Sequence, residues 1–228
     1  MRLVCISDTH GDHLQLNIPP GDVLIHSGDF SPMGSFLDAL KFVNWFGAQP
    51  HKHKIFIAGN HDLFLERGNP SEISMFLASM PPSVHYLNDS DITIDGVKFW
   101  GSPIQPTFFN WAFNRDRGES IKKHWDLIHN DTDVHITHGP AWEVLDSTWD
   151  FDNRVMRYVG CTDLKEAIKR VRPIVHIFGH VHYSGGRVQV EKDLLSVNAA
   201  ILDEKYQVAN EPIIIDIDII QRKAVSVL

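Results

Sequence analysis

Five short apolar runs along the chain break off in the same manner, each against a polar cluster. RLVCIS stops at Asp8-Thr9-His10 and DVLIHS at Gly28-Asp29, while KIFIA stops at Gly59-Asn60-His61-Asp62. DVHIT stops at His138-Gly139-Pro140 and PIVHIF at Gly179-His180-Val181-His182. Valine, isoleucine, leucine and phenylalanine at nearly every position, not every second one, predict strands covered on both faces. Apolar spacing predicts helices at 34–47, with Phe36, Leu40, Val43 and Gly47 on one side, and at 71–79, 118–129 and 162–171. Ser71 and Thr162 stand where N-caps belong. DITIDGVKFWG predicts a hairpin, with Asp95-Gly96 supplying the positive φ angles of a tight turn. GNPSEIS and MPPSVHY read as loops around a short helix. With no repeat, low-complexity segment or linker, residues 1–228 read as one domain.

In sheets packed under helices, ligands gather outside the carboxyl ends of the strands. The five runs therefore deliver Asp8, His10, Asp29, Asn60, His138, His180 and His182 to one place. Each motif alone has an ordinary reading as a turn or a cap; their repeated placement after a strand does not. Carboxylates, imidazoles and one amide, with no thiolate, suit divalent ions such as Mn²⁺, Fe²⁺ or Zn²⁺. Seven donors are too many for one tetrahedral zinc and divide well between two ions that share a carboxylate. Asp29 is the expected bridge, because Gly28 lets its backbone approach closely.

Composition narrows the class. Hydrophobic residues at 43% and charged residues at 22% are those of an ordinary globular protein. Cys5 and Cys161, in no metal-binding spacing, read as two reduced thiols of a cytoplasmic protein. MRLVCISDTH turns polar too soon for a signal peptide, and no apolar run has the length to cross a bilayer. The formal charge of −8, with scattered basic residues including Arg115 and Arg117, argues against long nucleic acid as partner. Lys165, Lys169, Arg170 and Arg172 share a helix with Asp163 and Glu166 and read as a solvated face.

The ordered motifs DTH, GD, GNHD, THG and GHVH resemble the calcineurin-like metallophosphoesterase superfamily. The fuller wording, through RPIVHIFGHVH and VNAA, looks like its metallophosphoesterase-domain-containing branch, over nearly the whole chain. The resemblance implies an α/β (α+β) fold, a four-layer αββα sandwich with two mixed β-sheets face to face between helices. It implies a phosphoester hydrolase, in this branch a phosphodiesterase of small nucleotides, cyclic ones included, with two divalent ions. Mn²⁺ comes first, with Fe²⁺, Zn²⁺ or Mg²⁺ as alternatives. By that resemblance Asp8, His10, Asp29 and His182 hold one ion, and Asp29, Asn60, His138 and His180 the other. Some relatives carry glycine in place of His180; this chain keeps the histidine. A metal-bridging hydroxide would attack phosphorus, His61 would protonate the leaving alkoxide, and Asp62 would orient His61. A phosphomonoesterase with the same site and a catalytically silent metal-binding scaffold remain as rivals.

Other residues carry two readings. In PTFFNWAFNRDRG, the aromatics Phe108, Phe109, Trp111 and Phe113 either pack beneath a loop or form a wall for a nucleobase, with Asn114 or Arg115 near ribose or phosphate. Asn198 either enters the crevice or serves a turn. His26, His135 and His176 read as packed histidines able to bond carboxylates behind the ligands. His51 and His53 read as a surface turn, and Asp12 and His13 as a solvated loop. The backbone of Gly160-Cys161 is either an anion contact or plain packing.

Overall fold

The computed structural model describes residues 1–150 and 153–227. Every apolar run that precedes a polar cluster is a strand: β1 (Arg2–Ile6), β2 (Val23–His26) and β3 (His53–Phe56), followed by β4 (Val84–Tyr86). The predicted hairpin is β5 (Ser90–Ile94) with β6 (Val97–Ser102), turning at Asp95 and Gly96 with φ 47° and 84°. Two short pieces, β7 (Gln105–Pro106) and β8 (Asn114–Arg115), pair under the aromatic loop. The chain continues through β9 (Val134–Thr137) and a ribbon of β10 (Ser147–Asp150) with β11 (Val155–Tyr158). It ends with β12 (Val175–Phe178), β13 (Arg187–Glu191), β14 (Leu194–Asn198), β15 (Ile213–Asp218) and β16 (Lys223–Val227).

Two mixed six-stranded sheets result, in the orders β16-β15-β1-β2-β3-β4 and β13-β14-β12-β9-β6-β5. Strands β1 to β4 are parallel, with β4 at one edge, as are β14, β12, β9 and β6; antiparallel strands β16, β13 and β5 close the other edges. Alternation along each strand then decides the layers. Leu3, Cys5, Ile25 and Ile55 share one buried cluster with Val134, Ile136, Val175, Ile177 and Val197, so the inner faces pack together. Val4, Ile6, Leu24, Phe56 and Phe178 belong instead to the cluster that holds the helices. This is the expected four-layer arrangement.

The helices are α1 (Phe36–Gly47), α2 (Leu63–Arg67), α3 (Pro70–Ala78), α4 (Glu119–Trp125) and α5 (Thr162–Val171). Helix α1 lays Phe42 and Phe46 against Phe56 of β3, with ring centroids 5.5 and 6.1 Å apart. Its buried face is Ala39, Phe42, Val43 and Phe46, one step round from the expected one, because these aromatics take the sheet side and leave Phe36 partly exposed. Two expected caps move. Asn69 caps α3 by accepting from the Ser71 amide at 2.9 Å, with Pro70 filling the first turn. The Cys161 sulfur accepts from the Leu164 amide at 3.4 Å, so Thr162 is already inside α5. Among the described residues, no helix is long and apolar enough to cross a membrane.

Candidate metal centre

The carboxyl ends of β1, β2, β3, β9 and β12 converge where the two sheets approach. The loops interlock through main-chain bonds. Asp8 and His10 donate to the carbonyls of Gly28 and Asp29, each at 3.0 Å, and Gly179 donates to His138 at 2.9 Å. The His180 amide crosses between sheets to the Asp8 carboxylate at 2.9 Å. Asp8, His10, Asp29 and His180 all lie in the left-handed region, with φ of 53°, 42°, 55° and 67°. Non-glycine residues seldom adopt it, and such strain gathers at functional sites.

All seven expected donors come together. Asp8, His10 and His182 form one group, and Asp29, His138 and His180 another, with ligand atoms within 4.8 Å of one another in each. Asp29 stands between them: its Oδ2 lies 3.3 Å from His138 Nε2 and 3.8 Å from His10 Nε2. Asn60 Oδ1 lies 2.8 Å from His138 Nε2, and Asp8 Oδ1 lies 3.4 Å from His182 Nε2. Close approach is built in at Gly28, with φ 102°, where a Cβ would meet His138 Nδ1 at 2.6 Å.

Backbone carbonyls aim the imidazoles. His138 Nδ1 sits 3.0 Å from the Ser27 carbonyl, and His182 Nδ1 sits 2.9 Å from that of Asp203. A carbonyl only accepts, so each Nδ1 carries the proton and each Nε2 faces the cluster. Both ring nitrogens of His10 are buried without a hydrogen-bond partner among the described residues. Buried polar atoms are normally satisfied, and a cation at the cluster would satisfy this ring.

The electrostatics are those of a cation site. Burial alone would raise Asp8 and Asp29, yet His182 beside Asp8 and His138 beside Asp29 hold both well below the usual carboxylate range. Burial pulls His138 and His182 down, but Asp29 and Asp8 outweigh it and push both up to about 9. Burial first, then His138, takes His180 down to about 4, and burial likewise lowers His10. The donor set, the unpartnered His10 and this charge pattern fit a dinuclear divalent-metal site, as the clustered residues suggest.

The structure changes the expected role of Asp62. His61 Nδ1 lies 2.8 Å from the Pro32 carbonyl, so Pro32 orients the ring. The Asp62 carboxylate accepts from the amides of Asp29, Ser31 and Gly59 and from the Ser31 hydroxyl, at 2.9, 3.0, 2.7 and 2.7 Å. It ties the bridging residue's loop to its own. Burial and then Asp29 push Asp62 up to about 7, against those donors. The His61 ring stands edge-on to His10 at 4.5 Å and stacks on Trp111 at 4.1 Å.

The aromatic loop divides. Phe113 is buried, Phe109 is 79% exposed and Trp111 backs His61. Phe108 lines a cleft of about 450 Å³ together with Asp29, Asn60, His61, His180 and Tyr206. Asn114 is an internal clamp: its amide binds the carbonyls of Phe108 and Phe109 and accepts from the Phe108 amide. Arg115 turns to Glu66 at 3.3 Å and does not line the cleft. Asn198 is fully buried behind the histidine loop, donating to the Val181 carbonyl at 2.9 Å and accepting from the Ala200 amide at 3.1 Å. Sequence reasoning missed Arg117, Tyr206 and the Asp203 carbonyl; a main-chain acceptor leaves no side-chain signature.

Of the secondary candidates, His26 and His176 pair with the hydroxyls of Thr9 and Thr137 at 3.0 and 2.8 Å, next to Asp8 and His138, and not with carboxylates. His135 has no hydrogen-bond partner among the described residues, and its ring packs against Trp100 and His176. His51 is buried on the Pro19 carbonyl and His13 packs on Trp45, so neither is solvated. The amides of Gly160 and Cys161 donate to Asp146 and Pro140, which leaves neither for an anion.

A model of the calcineurin-like phosphoesterases matches residues 1–184. A human protein named metallophosphoesterase domain-containing protein 1 is 37% identical, across 95% of this chain and 71% of its own. The Caenorhabditis elegans UPF0046 protein K07C11.7 is 36% identical, across 94% of this chain and 74% of its own. The solved phosphopantetheinyl hydrolase of Mycobacterium tuberculosis superposes with a TM-score of 0.56 over 90% of each chain, at 15% identity, a likeness of fold alone.

Proposed function

The chain belongs to the calcineurin-like phosphoesterase family, metal-dependent phosphoric ester hydrolases, and from that premise we propose that it is a phosphodiesterase acting on a small nucleotide diester. One observation carries the reading: the Asp29 carboxylate stands between two donor groups, Asp8/His10/His182 and His138/His180 with Asn60. In it Asp8, His10, Asp29 and His182 hold one divalent ion, and Asp29, Asn60, His138 and His180 the other. Mn²⁺ suits carboxylate, amide and imidazole donors without a thiolate. Two such ions supply Lewis acidity, polarising the phosphoryl group and lowering the pKa of water.

The chain's own residues do the rest. His61 Nδ1 is held by the Pro32 carbonyl and carries its proton there, which leaves Nε2 as the atom that, when the ring is an imidazolium, hands its proton to a departing alkoxide and returns to the neutral form. Trp111 stacked on the ring fixes its plane. Phe108, at the cleft wall, offers a face to a base. An alkoxide leaves poorly without a proton, so esters of alkyl alcohols, such as a nucleotide's ribose, are the substrates that need His61. Initial rates on bis(p-nitrophenyl) phosphate and p-nitrophenyl phosphate with Mn²⁺ test the reading. Faster turnover of the diester is expected; a large preference for the monoester contradicts it.

A further inference from the structure

The cleft that opens on Asp29, Asn60 and His61 is also lined by two arginines, Arg117 and Arg157. They differ in what holds them. Arg157 pairs with Asp150 at 2.5 Å. Arg117 donates only to main-chain oxygens, from Nη1 to Gly160 at 2.7 Å and from Nη2 to Val159 at 2.8 Å, and forms no ion pair among the described residues. Neutral carbonyls fix its orientation, and no carboxylate pairs with it directly. A guanidinium has five N–H donors in a rigid fork, so these two contacts leave donors for a ligand.

The clamp itself is secured. The Gly160 amide donates to the Asp146 carboxylate, the Val159 amide to the Asp146 carbonyl and the Cys161 amide to the Pro140 carbonyl, each at 3.0 Å. The clamp on Val159 and Gly160 accounts for the orientation of Arg117, but not for an unpaired cation lining the reactive cleft of a chain with formal charge −8. Resting on the phosphoester-hydrolase reading, we infer that Arg117 forms a second anion subsite, taking a phosphate on the organic part of the substrate away from the scissile phosphorus. The guanidinium fork suits phosphate oxygens. The favoured substrate is then a nucleotide-like phosphoester with at least two phosphates.

Two chromogenic diesters test this, thymidine 5′-(p-nitrophenyl phosphate) and its 3′-phosphorylated counterpart. With Mn²⁺, kcat/KM is expected to favour the 3′-phosphorylated ester by roughly tenfold or more, the size of a charge-assisted hydrogen bond. Arg117→Gln should bring that ratio near one, and Arg117→Lys, which keeps the charge without the fork, should retain part of it. Calorimetry gives a second readout: wild type should bind thymidine 3′,5′-bisphosphate more tightly than thymidine 5′-phosphate, and Arg117→Gln should erase the difference. A wild-type ratio of one, or a preference that survives Arg117→Gln, overturns the subsite. If Arg117→Gln does not fold, the wild-type ratio and the Lys variant still decide. Failure to hydrolyse bis(p-nitrophenyl) phosphate, which has no second anion, overturns the hydrolase reading instead, and the two binding affinities still judge Arg117.

Discussion

His61 depends on a neighbour that carries no side-chain label. Its Nδ1 donates to the Pro32 carbonyl, so only Nε2 is left to face a leaving group. His61→Ala should lower kcat on an alkyl leaving group by about 10²–10⁴-fold, the usual range for general acid catalysis. On a p-nitrophenyl leaving group, which departs without a proton, the loss should be far smaller. Equal losses on both, with metal content unchanged, would assign His61 to binding. The seven clustered donors were legible because each follows an apolar run, and strand ends meet in a covered sheet. The partners of His61, His138 and His182 were not, since Pro32, Ser27 and Asp203 act through carbonyl oxygens. Arg115 ends the two-residue strand β8 and Arg117 lies in the turn after it, a stretch too short for periodicity to tell which one lines the cleft.

Strands with unbroken apolar sequence were readable, and so was the edge strand β5 through its hairpin turn; the other edges and the caps were not. Exposed β13 and β16 are set by pairing with β14 and β15, a long-range event that a local pattern does not encode. The ligand loop after β12 depends on two devices. Gly179 permits contact with the loop after β1, because a Cβ there would lie 1.9 Å from Asp8 Oδ2. Asn198 at the end of β14 holds the Val181 carbonyl between His180 and His182. Asn198→Ala strands that buried carbonyl and should cost about 1–3 kcal/mol. Denaturant unfolding measures the cost, and metal affinity should fall with it. Unchanged stability would mean that the loop stands without this brace.

Across the whole molecule, burial sets a pH limit. Burial takes His26 and His135 down to about 3 and His176 well below its ordinary value, so the folded chain keeps these rings neutral. Their folded values lie below the unfolded value of about 6.5. The unfolded chain therefore takes up protons that the folded one refuses as pH drops below that point. Stability is full above about 6.5 and is lost as pH falls toward about 3. His135→Leu should flatten the acid side of a urea-unfolding profile; an unchanged slope would place the sensitivity elsewhere. The four-layer frame brings the ends of β1, β2 and β3 against those of β9 and β12, and the proposed chemistry rests on two cations sharing Asp29 there. Anomalous diffraction from crystals soaked in Mn²⁺ tests this most directly. Two peaks roughly 3.5–4 Å apart, on either side of the Asp29 carboxylate, are predicted; a single peak, or none within reach of Asp29, would contradict the account.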